Sequence, residues 1–457
     1  MIKKILKQLL ATFFIVVAVS VAVGAFQEWR YRANMPMGEV ISPGENAAMP
    51  GAIAMATVMI NNTRDGLTDE GFAGDATPEG NNKNWFLGFF REDEFEIGEG
   101  NPPTGPVVFR RDVHIKSHGC VNARFTVPEL SNEYQYGVLE QPAQFDAIIR
   151  FSNGDYALHP DSARDARGMA VKLLGVEGEK LLDLSAESDT QDFVMMNSEN
   201  YFIRELDDYV ELTKYLAEND NFGYFLNGWS WNPFSWHWRE LGLVAGTKKP
   251  PPETPLTEQY FSASAYELGH DNYIKFSAKP TQCPITDGQS LRQHSGRWST
   301  SDNNYNFLRL RMKEQLSAGP VCFDFMVQRQ VPGELMPVED ATIVWSQDKS
   351  PFVKVATIEI PALDNPIQGD FDTPERNEAC ENLSFNPWHS LEDHRPVGVF
   401  NRVRKALYDE IAKYRFASNR QQYDDTAAPA LELDEPYEPR QLLPPGPAVS
   451  ESAEAVD

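Results

Sequence analysis

The chain has 457 residues and a formal charge of -26. That length allows one large domain or two to three small ones, and the charge excludes a generally basic nucleic-acid binder and disfavours adhesion to anionic lipid. Apolar and aromatic content is ordinary for a globular protein, so a sizeable core is available. Four cysteines (Cys120, Cys283, Cys322, Cys380) are too few for a disulfide scaffold, and none has the CxxC spacing of a zinc site.

Lys3, Lys4 and Lys7 precede an uncharged run that ends at Phe26, and Trp29, Arg30 and Arg32 follow. Two readings of residues 1–34 compete. A cleavable signal peptide would be cut near Val23, Gly24 and Ala25. An uncleaved anchor needs about 20 apolar residues, and Trp29 with the basic residues beyond it favours the anchor, with the amino end cytoplasmic and the body exported. Residues 35–105 are rich in Gly, Pro, Asn and acidic residues and read as a linker and N-terminal arm. They include a helical-looking stretch at 46–62 and the aromatic residues Trp85, Phe86, Phe89 and Phe90.

Residues 106–420 carry the main domain. Strand-like runs recur at 123–127, 145–152, 170–174, 273–276, 321–328, 342–345 and 353–360, and suggest a barrel or sandwich. Helical patterns occupy 201–217, 302–317 and 400–417. Residues 421–457 form an acidic tail predicted to be disordered: from Asp424 onward there are nine acidic residues and one basic residue, Arg440.

Chemistry concentrates in three places. His114 and His118 lie in a short strand-like stretch that begins with Arg110 and Arg111, and a lone histidine there is more often structural. Arg150 and Ser152 share one strand face, because side chains alternate with period 2; the charged turn before Gly168 follows. On the last helix, Arg404, Tyr408, Ile411 and Arg415 form one stripe at i, i+4, i+7 and i+11. A solvated charged face is the simple reading of that stripe. The chemical reading is a phenol with a cation one turn away, about 6 Å along the axis; a neighbouring cation favours the anionic form, and tyrosinate is a strong ligand for ferric haem iron.

In order along the chain, Arg111-x-x-His114, Arg150-Phe-Ser152, Ser162-Ala-Arg-Asp-x-Arg-Gly168 and Tyr201-Phe-Ile-Arg204 resemble the distal half of the catalase superfamily pattern. Arg404-x-x-x-Tyr408 followed by Arg415 resembles its proximal helix. Met336-Pro-Val-Glu-Asp340, Trp345, Pro351-Phe352 and the run from His394 to Arg402 are similar to the small catalase-related haem peroxidase branch. The resemblance spans about residues 107–417. It implies an α+β fold, a catalase-like antiparallel β-barrel with surrounding helices, here preceded by the N-terminal transmembrane or signal helix.

The resemblance also implies haem b, with Tyr408 as the metal ligand and Arg404 beside it. His114 would be the distal acid and base that moves a proton between the peroxide oxygens. Ser152 would bond its far nitrogen and set its tautomer, and Val113 would narrow the approach to iron. Arg111, Arg150 and Arg415 would pair with haem propionates, and Tyr209 would either pack on the porphyrin, where the family often has a phenylalanine, or simply belong to the core. Asn197 would position peroxide. The sequence departs from the family just before it, where Met196 replaces the first asparagine of a pair. The expected function is a haem-dependent peroxidase or catalase-like enzyme that reduces hydrogen peroxide or organic hydroperoxides through an oxoferryl species, with a small-molecule electron donor. Partners would be the membrane, through the N-terminal helix, and a second copy of the chain in a homo-oligomer, with no nucleic acid. Two alternatives remain: a lipid-hydroperoxide isomerase or dehydratase of the allene oxide synthase type, and a non-catalytic, membrane-tethered haem-binding protein.

Other features are less telling. His118, His159, His237, His270 and His389 lack a ligand constellation and read as structural or exposed. Residues 229–238 hold four of the nine tryptophans. Core or interface packing is their first reading; the wall of a substrate entrance or contact with the bilayer is the second. Cys283, Cys322 and Cys380 could pair in an oxidising compartment, with no partner fixed.

Overall fold

The computed structural model describes residues 2–41, 114–155, 160–182, 189–217, 220, 222–283, 298–302, 304–405, 407–409 and 411–412. The predicted helix at 46–62, the cluster Trp85–Phe90, the tail, and the candidate residues Arg111, Val113 and Arg415 lie outside them. The described elements are α1 (Ile2–Arg32), β1 (Ser117–Val127), β2 (Ala143–Asn153), β3 (Arg167–Leu174), β4 (Thr190–Met196), α2 (Leu206–Ala217), α3 (Trp238–Thr247), β5 (Tyr260–Phe261), β6 (Tyr266–Glu267), β7 (Tyr273–Thr281), α4 (Phe307–Ala318), β8 (Val321–Arg329), β9 (Val353–Ile360) and α5 (Pro374–Glu381). Residues 399–405, 407–409 and 411–412 are also helical.

The strands close into an antiparallel barrel in the order β1-β2-β3-β4-β5-β7-β8-β9 and back to β1, with β6 paired outside on β7. Strand alternation makes the closure profitable. Val121, Ala123, Phe125 and Val127 of β1, Ile149 and Phe151 of β2, and Met169, Val171 and Leu173 of β3 all point inward. Phe125, Phe193, Phe276 and Phe325 meet in the middle, with ring centroids 4.8–5.6 Å apart along the contacts Phe193–Phe325, Phe125–Phe325, Phe193–Phe276 and Phe276–Phe325. An eight-stranded barrel is just wide enough for side chains to fill it. Its interior is therefore packed core, and any site must lie on its outer face.

That outer face is covered over β1–β4. Cys120, Ile148, Ala170 and Leu174 pack beneath Cys380, Leu383 and Phe385, and a disulfide joins Cys120 to Cys380. A second disulfide joins Cys283 to Cys322, so all four cysteines are paired. Beside the first lies a buried ionic group: Lys172 Nζ sits 2.8 Å from Asp192, whose other oxygen is 2.8 Å from His389 Nδ1.

The elements differ from the sequence reading where burial is not one-sided. Residues 342–345 alternate in character but form no ladder; their carbonyls are used instead, Ile343 O accepting from Lys275 Nζ and Trp345 O from Gln328 Nε2. Strand β4 went unread because Gln191 and Asp192 are buried polar residues, which hides its alternation. The short helices α3 and α5 were also missed. Helix α2 begins at Leu206 rather than 201; residues 201–205 are not helical, and Tyr201 N donates to Ala341 O at 3.0 Å.

Candidate active site

His114 enters β1 three residues before Ser117, with a left-handed backbone (φ 60°) that a non-glycine residue adopts only under constraint. The constraint comes from both sides. Lys116 N donates to Asn153 Oδ1 at 2.8 Å, and Asn153 N returns a bond to Lys116 O at 3.0 Å. The imidazole Nδ1 lies 3.1 Å from Ser152 Oγ.

In the sheet register, Ser152 stands opposite Gly168, and Gly168 opposite Met196. The imidazole lies against Gly168: a Cβ there would fall 2.6 Å from His114 Nδ1 and 2.8 Å from Ser152 Oγ. Glycine is thus what leaves room for the ring, a role not read from the sequence although Gly168 closes one of its motifs.

Beneath His114 the strand is fixed by a buried charge cluster. Lys116 Nζ sits 2.7 Å from Asp161 Oδ1, and Asp161 Oδ2 accepts from Leu308 N. Burial pushes the Asp161 carboxyl up, but the Lys116 ammonium and its hydrogen bond, with His118 and the Leu308 N–H, together offset this and hold it below the usual range. Burial above all pushes His118 down to about 3, so this histidine is neutral and structural.

Asn197 is fully buried at the end of β4. Its Oδ1 accepts from Arg167 N at 2.7 Å, and its Nδ2 donates to Glu258 at 2.9 Å. The amide is thereby held at the start of β3, one residue from Gly168. Met196 occupies the sheet row of Ser152 and Gly168, on the face that packs against Ala166, Ala263 and Tyr201. Arg150 is buried on the outer face; its guanidinium donates to Leu383 O at 3.3 Å and lies 4.4 Å above the Phe385 ring.

The carboxy-terminal helix supplies the other half. Tyr408 is half-buried among Leu206, Tyr209, Val210, Val399, Val403, Leu407 and Ile411. The Arg404 guanidinium lies 5.8 Å from the Tyr408 ring centre and 5.0 Å from that of Tyr201, and Nη1 donates to Asn401 Oδ1 at 3.3 Å. Asn401 is itself buried: its Nδ2 donates to Ala265 O and Val397 O, and its Oδ1 also accepts from Ser264 Oγ. It therefore sets where Arg404 can reach, and the sequence reading missed this.

Tyr209 meets Phe400 edge-on at 6.0 Å and borders a small cleft with Leu206, Val399, Phe400 and Val403, with a cavity volume of about 10 Å³. A second cleft, also of about 10 Å³, lies elsewhere, beside Lys275 and Trp345. Each has room for about one water, far below the roughly 300 Å³ at which small-molecule sites begin.

Tyr201 joins the two halves. Its ring stacks on Phe400 at 5.2 Å, lies under Arg404, and packs against Met196 and Ala166 beside the His114 strand ends. The structure thus brings together His114, Ser152 and Gly168, holds Asn197 close behind, and connects them through Tyr201 to Arg404, Tyr408 and Tyr209. Arg150 stands apart from that line, over Phe385.

No family model and no curated protein matches the sequence. Among solved structures the chain is similar to a fungal catalase, with TM-score 0.50 and 16% identity over 73% of this chain and 67% of that one. It is similar to catalase A from Saccharomyces cerevisiae, with TM-score 0.51 and 16% identity over 73% and 69%. A bacterial catalase matches with TM-score 0.50 and 15% identity over 80% and 70%. At such identities the likeness defines the fold: an antiparallel β-barrel of the catalase type, with helices around it.

Proposed function

We propose that this chain is an exported, membrane-tethered haem enzyme of the catalase type. It reduces hydrogen peroxide or organic hydroperoxides, as a peroxidase first and a catalase second. The observation that carries the proposal is the His114–Ser152–Gly168 cluster, joined by Tyr201 to the Arg404–Tyr408 pair on a catalase-like barrel. The resemblance to the small peroxidase branch supports the order of the two activities.

The donor set suits haem b. Tyr408 would ligate the iron, and the Arg404 cation would stabilise its anionic oxygen. Arg111 and Val113 before His114, and Arg415 one turn past Ile411, would complete the site, with Tyr209 packing on the porphyrin. Arg150 is the weakest member, because its guanidinium already serves the carbonyl of Leu383; a propionate would have to displace that bond. When bound, haem would supply a redox-active iron able to provide the two electrons that cleavage of a peroxide O–O bond requires.

The chain's own residues handle the proton. In the tautomer that donates Nδ1–H to Ser152 Oγ, 3.1 Å away, the basic atom of His114 is Nε2. It takes the proton from one peroxide oxygen and returns it to the other, so that water is the leaving group. Asn197 has one amide hydrogen bound to Glu258; its second would orient the peroxide.

Export is supported by two features. Helix α1 holds a 23-residue span, Leu10–Arg32, long and apolar enough to cross a membrane, and pairing of all four cysteines suits an oxidising compartment. A lipid-hydroperoxide isomerase or dehydratase is the second reading, favoured by the exposed aromatic segment next to α1. The absorption spectrum of the purified protein with and without hydrogen peroxide, read alongside oxygen evolution, tests the proposal. A Soret band that responds to peroxide is expected, and its absence would remove every haem-based reading. Products from a fatty-acid hydroperoxide separate peroxidase from isomerase.

A further inference from the structure

The aromatic segment at 229–238 shows an unusual division of labour. Three of its four indole N–H groups are bonded within the protein: Trp229 Nε1 donates to Asp220, Trp236 Nε1 to Ser230 O and Trp238 Nε1 to Pro233 O, while Phe234 N donates to Asn232 Oδ1. Its apolar faces point outward. Trp231 is 93% exposed, Trp229 54% and Phe234 52%. Scattered surface aromatics are ordinary, but three exposed ones within six residues of one turn are a concentration of apolar surface.

The neighbour of this patch identifies what covers it. Helix α1 packs against the turn Pro233–Ser235 and against α3. Its near side runs through Val16, Ser20, Gly24 and Glu28, spaced four apart, with Ser20 buried and the others half-buried. At the Glu28 end the contact is polar: Glu28 is bonded to Arg204 at 2.7 Å and lies 3.2 Å from Arg239. Ser20 is eight residues away, about 12 Å along the axis. The polar interface of a bilayer leaflet is only about 5–7 Å deep. A body that touches α1 at both Glu28 and Ser20 therefore reaches past the headgroups.

We propose that the segment 229–234 is a second membrane element, inserted beside α1 with Trp231 in the acyl region of the leaflet. This rests on the proposed membrane span of α1. The helix and the aromatic turn, clamped together by Glu28, Arg204 and Arg239, would hold the catalytic body flush with the bilayer in one orientation rather than on a loose tether. Helix α2, which carries Tyr209, lies on the same side of the fold: Tyr209 packs with Tyr224, Phe225 and Val244, just before and after the turn. The candidate site is thereby set close to peroxides generated in the membrane.

The test uses the full chain in phosphatidylcholine vesicles whose acyl chains are either plain or brominated, bromine being a contact quencher of tryptophan. Emission is compared between wild type and each of Trp231→Phe and Trp29→Phe, so that each difference reports one tryptophan. Trp29 lies on α1 and is 65% exposed. The emission assigned to Trp231 should fall at least about twofold in brominated vesicles, in line with apolar faces that insert roughly 5–10 Å. If Trp29 is quenched while Trp231 is not, or if Trp231 responds only to aqueous acrylamide, the inserted turn is wrong and the span of α1 stands. If neither is quenched, the span itself fails and the inference falls with it. Shielding of Trp231 from both quenchers would mean a protein partner covers it, which also overturns the proposal.

Discussion

Gly168→Ala probes the candidate site with the smallest possible addition. The new methyl carbon would lie 2.6 Å from His114 Nδ1 and 2.8 Å from Ser152 Oγ, two atoms already 3.1 Å apart in a hydrogen bond. One of them must move, and His114 has the freer side because Ser152 is part of β2. Overpacking of this size costs about 1–3 kcal/mol, and loss of the bond adds about 1 kcal/mol. Urea unfolding should therefore show a loss of about 2–4 kcal/mol. The functional effect should be larger, because an imidazole displaced from Ser152 loses its fixed tautomer; proton relay of this kind contributes roughly 10²–10⁴-fold to rate. Peroxide turnover should drop within that range while Soret absorbance per protein stays unchanged, since haem retention rests on Tyr408. Ser152→Ala, which removes the hydroxyl without the clash, should lose turnover with a stability loss of only about 1 kcal/mol. A Gly168→Ala protein with wild-type stability and peroxide rate would refute the placement of His114.

Further outcomes follow from other contacts. Tyr408→Phe should abolish the wild-type Soret spectrum, because phenylalanine offers iron no ligand; an unchanged spectrum would sink the proximal assignment. His114→Ala should retain haem and lose peroxide turnover. Replacing Cys120 and Cys380 with serine should cost about 2–5 kcal/mol by urea unfolding. Their sequence separation of 260, against 39 for Cys283 and Cys322, makes that loss about 1–2 kcal/mol greater than for the second pair on loop-closure entropy. Burial pushes His394 down to about 4, and it accepts a bond from Val138 N in neutral form. The unfolded chain then binds the extra proton, so stability is full above about pH 6.5 and falls as pH drops toward 4, by up to about 3 kcal/mol. His394→Gln should flatten that slope in acid titration.

Much of the barrel was legible because its strands bury one face: the runs around Phe125, Phe151, Val171, Phe276, Phe325 and Ile358 alternate, and each became a ladder strand. Strand β4 was hidden because Asp192 is buried against Lys172 and His389, contacts some 20 and 197 positions away in sequence. The pairing of His114 with Ser152 was suggested by ordered motifs, and the structure brings the two residues together. Asn197 is placed nearby, with its amide engaged by Arg167 and Glu258.

The local periods, the apolar span of α1 and the stripe of Arg404 and Tyr408 are written in the chain, since each is set by residues a few positions apart. Folding alone fixes which cysteines pair, that Gly168 makes room for the His114 ring, that Asn401 steers Arg404, and that an aromatic turn lies along α1. Each of these depends on distance between segments far apart in the chain, and such distances exist only once the barrel has closed.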